Sequence, residues 1–412
     1  MIEVAAPPTD EPTLLVTLTG ADRPGVTAAL FAALADHDVV VLDVEQVVVR
    51  SHLTLAVLIT AGSDPVGVRD ALIVAGEGLG MKVKCRRGSG DNAPRRQGRL
   101  HVTVLGAPLL PQAIRAIAES IAAGGGNIDR IRRISRWPVT TVEIDVSGAD
   151  VAGLRHVLAG VAAAQGVDVA VSPAGLARRG RRLVMMDVDS TLIQDEVIEL
   201  IAAHAGRGPE VAAVTERAMR GELDFAASLR ERVAHLAGLP TSVLEEVRAD
   251  VRLTPGARTL VRTLKRLGFT VALVSGGFIE IVRPLADLLG IEHAEANRLE
   301  VVDGLLTGRV VGTVIDRAGK AAALRRFAAA EGIAMSRTIA IGDGANDLDM
   351  LDAAGLGIAF NAKPIVRAQA DTSVTVPYLD AVLYLIGIPR EEVEDADAAD
   401  GFDGPVERDA PS

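Results

Sequence analysis

Two aspartates stand two residues apart at the end of a short apolar run. The segment LVMMDVDST places Asp187 at the end of a predicted strand and Asp189 in the turn that follows. Two neighbouring carboxylates are costly unless a cation or a positively charged partner offsets their charge. The pair therefore predicts either a cation-assisted site or, as the simpler interpretation, a helix cap formed by Asp189, Ser190 and Thr191 with Asp187 incidental.

Two further segments carry groups suited to phosphate. VSGGF places the hydroxyl of Ser275 before the backbone amides of Gly276 and Gly277, which could cradle an anion. An ordinary Ser-Gly-Gly turn explains the same residues. Lys320, in DRAGKAAAL, lies at a predicted helix start and is one of only five lysines among 43 basic residues. Taken alone, it is equally consistent with a solvated surface lysine.

A third acidic group lies in IAIGDGANDLDML, which presents Asp343, Asn346 and Asp347 around two glycines. Carboxylate and amide oxygens in a tight turn suit a hard cation such as Mg²⁺. The alternative is an Asx-turn followed by a helix cap.

Short apolar runs precede these segments and alternate with helical stretches. Such an order predicts a parallel sheet covered on both faces, with ligands beyond the carboxyl ends of its strands. The predicted strands are Leu183–Asp187, Thr270–Ser275, Thr338–Gly342 and Leu356–Ala359.

The order Asp-x-Asp-x-Thr, Ser, Lys and Gly-Asp-Gly-x-x-Asn-Asp resembles the four motifs of the haloacid dehalogenase (HAD) superfamily, over about residues 181–389. Within it, DVDST, VSGGF and GDGANDLDML resemble the phosphoserine phosphatases. The resemblance implies a Rossmann-like α/β domain with a small helical cap. It also implies Mg²⁺-dependent hydrolysis of O-phospho-L-serine to L-serine and phosphate, the last step of serine biosynthesis.

The same resemblance assigns roles to individual residues. Asp187 would form the aspartyl-phosphate, and Asp189 would act as general acid and base. Asp at this second position indicates hydrolysis or phosphomutase activity, whereas ion-pumping members of the superfamily have Thr there. The metal would be held by Asp187, Asp343 and the backbone carbonyl of Asp189. The substrate would be bound by Glu196, Met219, Phe225, Arg232, Ser275, Gly276, Lys320 and Asn346.

Two rival functions remain open at this point. A phosphatase or phosphotransferase for another small phosphate, such as a sugar phosphate or phosphohomoserine, would share the four motifs, although Glu196 and Arg232 speak against a sugar. A regulatory amino-acid-binding protein with an inactive C-terminal scaffold should lack one of the motif residues, and none is missing.

The N-terminal part contains a degenerate repeat. LLVTLTGA at 14–21 matches LHVTVLGA at 100–107, and each copy continues in the order βαββαβ. This order resembles the ferredoxin-like ACT module, which binds amino acids. The loop GADRPG resembles its ligand-binding signature and makes Asp22, Arg23, Pro24 and Gly25 candidate regulatory residues, with L-serine or another amino acid as effector. A plain strand-to-helix turn is the alternative.

Four regions follow from these patterns. We predict an ACT-like domain over 13–86, a second, degenerate one over 99–173, and a HAD domain over 181–390 whose cap spans about 194–250. Residues 391–412 are acidic and nearly free of large apolar side chains, which predicts a disordered tail.

Composition limits the possible partners. The net charge of −11, without any basic stripe, argues against nucleic acid and anionic membranes. A single cysteine, Cys85, excludes an intramolecular disulfide, and neither a signal peptide nor a membrane span is recognised. A cytoplasmic protein is expected, and the resemblance to phosphoserine phosphatases with two ACT domains implies a homodimer joined through the N-terminal modules.

Overall fold

The computed structural model describes residues 11–90, 98–175, 178, 180–220 and 222–402. Residues 1–95 and 96–412 form two separate units. None of the helices within the described ranges is both long and apolar enough to span a membrane.

The first unit is a βαββαβ module. Its four strands, among residues 11–90, form an antiparallel sheet in the order β2-β3-β1-β4. Leu14, Val16 and Leu18 alternate along β1 and are buried, because every second side chain of a strand faces the same side of the sheet. The elements are β1 (Pro12–Ala21), α1 (Val26–Ala35), β2 (Val41–Val49), β3 (His52–Thr60), α2 (Pro65–Gly78) and β4 (Lys82–Ser89).

The second module repeats this topology at the start of the second unit, with the order β6-β7-β5-β8 among residues 98–175. The predicted duplication of βαββαβ is therefore confirmed. The elements are β5 (Leu100–Gly106), α3 (Pro111–Ala123), β6 (Asn127–Ser135), β7 (Thr140–Ser147), α4 (Val151–Gln165) and β8 (Asp168–Pro173).

The remaining described residues form the predicted parallel sheet, in the order β12-β11-β10-β9-β13-β14-β15, with only β12 antiparallel to its neighbour. Strand β9 is central, and β10 and β13 flank it, so the carboxyl ends of these three strands meet at one edge. The strands are β9 (Leu183–Met186), β10 (Thr270–Phe278), β11 (His293–Val302), β12 (Leu305–Val311), β13 (Thr338–Gly342), β14 (Leu356–Phe360) and β15 (Thr372–Val374).

Helices cover this sheet, and four more form a cap inserted between β9 and the rest of the domain. The cap helices are α5 (Val197–His204), α6 (Gly208–Met219), α7 (Phe225–Ala234) and α8 (Ser242–Asp250). The other helices are α9 (Ala257–Arg266), α10 (Ile279–Leu289), α11 (Arg317–Ala330), α12 (Leu348–Ala353), α13 (Pro364–Arg367), α14 (Ala381–Leu385) and α15 (Arg390–Ala399).

The second module packs directly against the capped domain. Asp168, at the start of β8, accepts hydrogen bonds from Ser373 Oγ at 2.6 Å, Thr375 N at 2.9 Å and Thr375 Oγ1 at 3.0 Å. One face of the module's sheet carries its own helices, and side chains on the other join the core of the capped domain. These side chains are Leu105, Ile134, Val139 and Ala170.

The expectation of a disordered tail from residue 391 is wrong as far as residue 402. Most of this segment belongs to helix α15 (Arg390–Ala399), in which Val393 is buried. Asp397 accepts hydrogen bonds from Arg262 and Arg266 on α9, at 3.0 and 2.5 Å. The charge of Asp397 is therefore offset by arginines more than 130 positions away in the sequence, which composition cannot reveal. Residues 403–412 lie outside the described residues.

Candidate active site

The segment DVDST forms a tight turn at the end of β9. Asp187 is buried, and its Oδ1 accepts a hydrogen bond from the Val188 amide at 2.8 Å. Ser190 has φ +55°, in the left-handed region that non-glycine residues seldom occupy. Strain of this kind is typical of functional turns. The turn directs the two carboxylates to different partners.

Lys320 connects two of the acidic groups. It is fully buried in the first turn of α11, and its Nζ lies 2.8 Å from Asp187 Oδ1 and 2.6 Å from Asp347 Oδ1. Burial by itself would lower the pKa of Lys320, but these carboxylates hold that pKa above its usual value. The alternative of a solvated surface lysine is therefore wrong.

A cluster of carboxylates can accept a cation. Oxygens of Asp187, Asp343 and Asp347 lie within 4.8 Å of one another. Burial, together with the charge of Asp347, raises the pKa of Asp343 to about 6, which indicates negative charge that a bound cation would offset. Asp347 is already committed to Lys320 and to the Gly344 amide, at 2.9 Å from its Oδ2. Asp187 is paired with Lys320 in the same way, and all three carboxylates are candidate metal ligands.

The side chain of Asp189 points away from this cluster. Its Oδ2 accepts a hydrogen bond from Ser275 Oγ at 2.8 Å, and its Oδ1 accepts one from the Val197 amide at 2.8 Å. Ser275 Oγ in turn accepts a hydrogen bond from Gly277 N at 2.7 Å. Asp189 thus binds the first amide of α5, whose N-cap residue is Glu196, while Asp187 has its own partner in Lys320, so the interpretation of a simple helix cap with Asp187 incidental is wrong.

The cap closes the pocket with residues from α7 and from the start of α5. Glu196 Oε1 accepts a hydrogen bond from Ser190 Oγ at 2.9 Å, and burial, then the charge of Asp189, raises the pKa of Glu196 to about 7. Burial lowers the pKa of Arg232, and its Nε is buried without a hydrogen-bond partner. A buried guanidinium N–H without an acceptor is costly, so Arg232 is suited to bind an anionic group in the pocket.

Phe225 completes the closure over the glycine turn. A Cβ atom at position 276 would lie 2.8 Å from Phe225 Cζ, so only glycine allows the ring to approach this closely. The cavity has a volume of about 90 Å³. Its lining contains Asp187, Asp189, Glu196, Phe225, Arg232, Gly276, Asp343 and Asn346 together with Ile198, Leu229, Gly277 and Phe278.

Comparison with known proteins agrees with this arrangement. The family model for haloacid dehalogenase-like hydrolases matches residues 184–352, and two ACT domain models match 12–86 and 100–172. A phosphoserine phosphatase of Streptomyces coelicolor is 60% identical over 407 residues, covering 97% of this chain and 99% of the relative. The phosphoserine phosphatase SerB2 of Mycobacterium tuberculosis is 54% identical over 393 residues, covering 94% and 96%. The chain belongs to the phosphoserine phosphatase family.

The fold of this phosphoserine phosphatase family member is also similar to a solved structure. The crystal structure of a probable phosphoserine phosphatase from Vibrio cholerae, in unliganded form, has a TM-score of 0.56 at 35% identity, covering 72% of this chain and 88% of that one.

Most of the site residues predicted from the family motifs converge on this pocket or its immediate surroundings. Met219 ends α6, and its side chain lies outside what the structure describes. Ser275 and Lys320 lie behind the pocket lining, where they contact Asp189 and Asp187. The sequence interpretation did not identify Ile198, Leu229 and Phe278 as lining residues. Phe278 follows VSGG directly, whereas the two cap residues carry no signal beyond an apolar side chain on a helix.

The GADRPG loop is an exposed turn before α1. Gly25 has φ +94° and occupies the N-cap position, where a left-handed backbone favours glycine. Asp22 donates its amide to the Ser51 carbonyl at 2.8 Å, and the side chains of Asp22, Arg23 and Pro24 are exposed within their unit. Amino-acid binding by this loop in the phosphoserine phosphatase remains a prediction.

Proposed function

We propose that this protein hydrolyses O-phospho-L-serine to L-serine and phosphate through an aspartyl-phosphate on Asp187, with Mg²⁺ as cofactor. One observation carries the proposal. The lining of one pocket brings together the carboxylates of Asp187 and Asp343 and the oppositely charged side chains of Glu196 and Arg232. Phosphoserine carries a phosphate, an ammonium and a carboxylate, and a cation held by Asp187 and Asp343, the Glu196 carboxylate and the Arg232 guanidinium would complement these three groups in charge.

In the first step, an Asp187 oxygen attacks phosphorus while the bond from phosphorus to the serine oxygen breaks. Asp189, in its acid form, donates a proton to the departing oxygen. In the second step, Asp189 removes a proton from water, which attacks the same phosphorus and releases phosphate and the Asp187 carboxylate. The Ser275 hydroxyl and the Val197 amide hold the Asp189 carboxyl at both oxygens, which restricts it to one orientation.

Charge on the transferring phosphoryl group needs several donors. Lys320 and Ser275, which contact Asp187 and Asp189 behind the lining, would carry it together with the Gly276 amide, and Asn346 lines the same pocket. A Mg²⁺ ion held by Asp187, Asp343 and, as the family resemblance implies, the Asp189 backbone carbonyl would neutralise charge between an anionic nucleophile and an anionic substrate.

Removal of the metal or of its Asp343 ligand is expected to abolish most activity. Asp343→Asn removes one negative ligand, and a loss of several kcal/mol in transition-state stabilisation corresponds to about 10² to 10³-fold in kcat/KM. Phosphate release is measured with Mg²⁺, with EDTA, and after Mg²⁺ is restored. Asp349→Asn is the matched control, since its carboxylate pairs with Arg317 at the surface, at 2.6 Å. Undiminished turnover in excess EDTA would contradict the metal assignment.

Substitution of Arg232 is expected to affect phosphoserine selectively. Loss of a buried, charge-assisted contact costs about 2 kcal/mol or more, or about 30-fold in kcat/KM. An aryl phosphate, which lacks the amino-acid head group, should lose far less. The measurement is phosphate release by wild type and Arg232→Ala from phosphoserine, phosphohomoserine, a sugar phosphate and an aryl phosphate.

Arg230→Ala is the matched control for this experiment, because Arg230 lies on the same helix but is exposed. Equal losses on phosphoserine and the aryl phosphate would instead indicate a structural role for Arg232. Wild-type preference for the sugar phosphate would contradict the proposed substrate.

We further propose that the protein is a cytoplasmic enzyme of serine biosynthesis, that it forms a homodimer, and that L-serine or another amino acid binds its ACT modules. Strand β2 supports the dimer: it is an edge strand of the first module, and its valines are unusually exposed within that unit. The exposed valines are Val41, Val44, Val47, Val48 and Val49.

A further inference from the structure

One buried asparagine lies beside the glycine turn without lining the pocket. Asn297, on β11, is 1% exposed. Its Nδ2 donates a hydrogen bond to the Gly276 carbonyl at 2.8 Å, and its Oδ1 accepts one from the Ile315 amide at 2.7 Å. This amide orientation is the one that pairs a donor with each acceptor, since a reversed side chain would oppose like groups at both ends.

The bond to Gly276 controls the direction of a pocket amide. The peptide group is planar, so fixing the Gly276 carbonyl also fixes the N–H of Gly277, which points the opposite way. That N–H donates to Ser275 Oγ at 2.7 Å, and Ser275 Oγ donates to Asp189 Oδ2 at 2.8 Å. A hydrogen-bonded chain thus runs from Asn297 to the Asp189 carboxyl.

Glycines make this control necessary. Two consecutive glycines have wide conformational freedom, and the β10–β11 pairing shifts register between Ser275 and Phe278. The regular ladder therefore does not hold the turn in place. Asn297 supplies a side-chain tether where the backbone pairing is interrupted.

The other end of Asn297 binds the segment that leads into the helix carrying Lys320. Ile315 directly precedes Asp316, whose Oδ1 accepts a hydrogen bond from Gly319 N at 2.8 Å and caps α11. Lys320 follows in the first turn of that helix. Asn297 thus links the two segments that supply phosphate donors, which approach the pocket from different strands.

We propose that Asn297 is a positioning residue for the phosphate site, holding the Gly276–Gly277 peptide and the start of α11 in register. The inference rests on the proposed function, because it assumes that Ser275, the Gly276 amide and Lys320 bind the transferring phosphoryl group. It predicts that substitution of Asn297 lowers the rate of hydrolysis of every phosphomonoester to a similar extent, because all of them carry the phosphate and only some carry the amino-acid head group.

Asn297→Asp tests this role with minimal change in volume. The variant keeps an oxygen for the Ile315 amide but places an oxygen where Nδ2 donated to the Gly276 carbonyl. We expect kcat/KM to fall about 10 to 10²-fold for both phosphoserine and an aryl phosphate, the scale of a misplaced reacting group. Inhibition by orthovanadate, a phosphate mimic, should weaken by about 10-fold or more. Asn297→Ser adds no charge and should likewise lower kcat/KM and weaken inhibition by orthovanadate. It replaces the aspartate variant if that variant does not fold.

Thr338→Val is the control for simple loss of a buried polar bridge. Thr338 is 1% exposed at the start of β13, far along the strand from Asp343, and its Oγ1 donates to the Met335 carbonyl at 2.7 Å and accepts from Gly355 N at 3.2 Å. It should lower the Tm while leaving kcat/KM and orthovanadate inhibition near wild type. Asn297 variants that lose thermal stability but keep both kinetic quantities within twofold of wild type would overturn the inference. A wild-type enzyme that hydrolyses another phosphomonoester but not phosphoserine would contradict the proposed function alone, because the comparison can be made on any substrate that turns over.

Discussion

Changing Asp187 to asparagine is expected to stop turnover and to leave the protein unphosphorylated. An amide oxygen is too weak a nucleophile to attack phosphorus, and removal of a covalent nucleophile costs on the order of 10⁶-fold in kcat. The fold should survive, because an asparagine oxygen can still accept the Val188 amide and Lys320 keeps Asp347 at 2.6 Å. The loss should therefore lie in chemistry and not in stability.

The measurement combines phosphate release with mass spectrometry of enzyme quenched during turnover. Wild type quenched in parallel should carry phosphate on the peptide containing Asp187, and the variant should carry none at an unchanged Tm. Phosphate on Ser190 or Thr191 in place of Asp187 would contradict the assignment of the nucleophile. So would the absence of phosphoprotein from every variant alongside normal wild-type turnover.

Asp189→Asn should fail in a different way, with slowed turnover and a trapped phosphoenzyme. The nucleophile remains, but the proton donor and acceptor is lost, at a cost of about 10² to 10⁴-fold. Dephosphorylation should suffer more than phosphorylation, because water needs a base and Asp187 does not. An asparagine oxygen can still accept the Val197 amide, so the cap should stay in place.

An aryl phosphate is the substrate of choice for this experiment. Its leaving group needs little protonation, so the first step should proceed while the second is slow. Acid-stable, hydroxylamine-labile phosphoprotein should then accumulate on the Asp187 peptide of Asp189→Asn and exceed the wild-type level. If the variant hydrolyses the aryl phosphate at the wild-type rate with no added phosphoprotein, Asp189 is not the base.

Much of the chemistry of this protein can be read from its sequence. The apolar runs before DVDST, VSGGF and GDGANDLDML predict strands of a parallel sheet, because short buried runs between helices allow few other arrangements. The structure confirms this sheet. The carboxyl ends of β9, β10 and β13 then meet by topology alone. The repeat of LLVTLTGA in LHVTVLGA likewise predicts the two βαββαβ modules that the structure contains.

Local pattern does not determine which distant groups become partners. From the sequence alone, Lys320 is equally consistent with a surface lysine. In the structure it is buried at the start of α11, between Asp187 and Asp347. Asn297 carries no motif, and its role depends on contacts with Gly276 and Ile315 across separate elements.

The predicted disorder from residue 391 failed for a related reason. The composition of a segment indicates how much apolar surface it can contribute to a core, but not whether another segment of the chain will pack against it. Side chains of the second module share a hydrophobic core with residues such as Leu383 of α14, and Asp397 of the acidic helix α15 pairs with the arginines of α9. Periodicity and capping act over a few residues, whereas burial and charge pairing are decided by side chains brought together across more than a hundred positions. Only the tertiary structure supplies those neighbours.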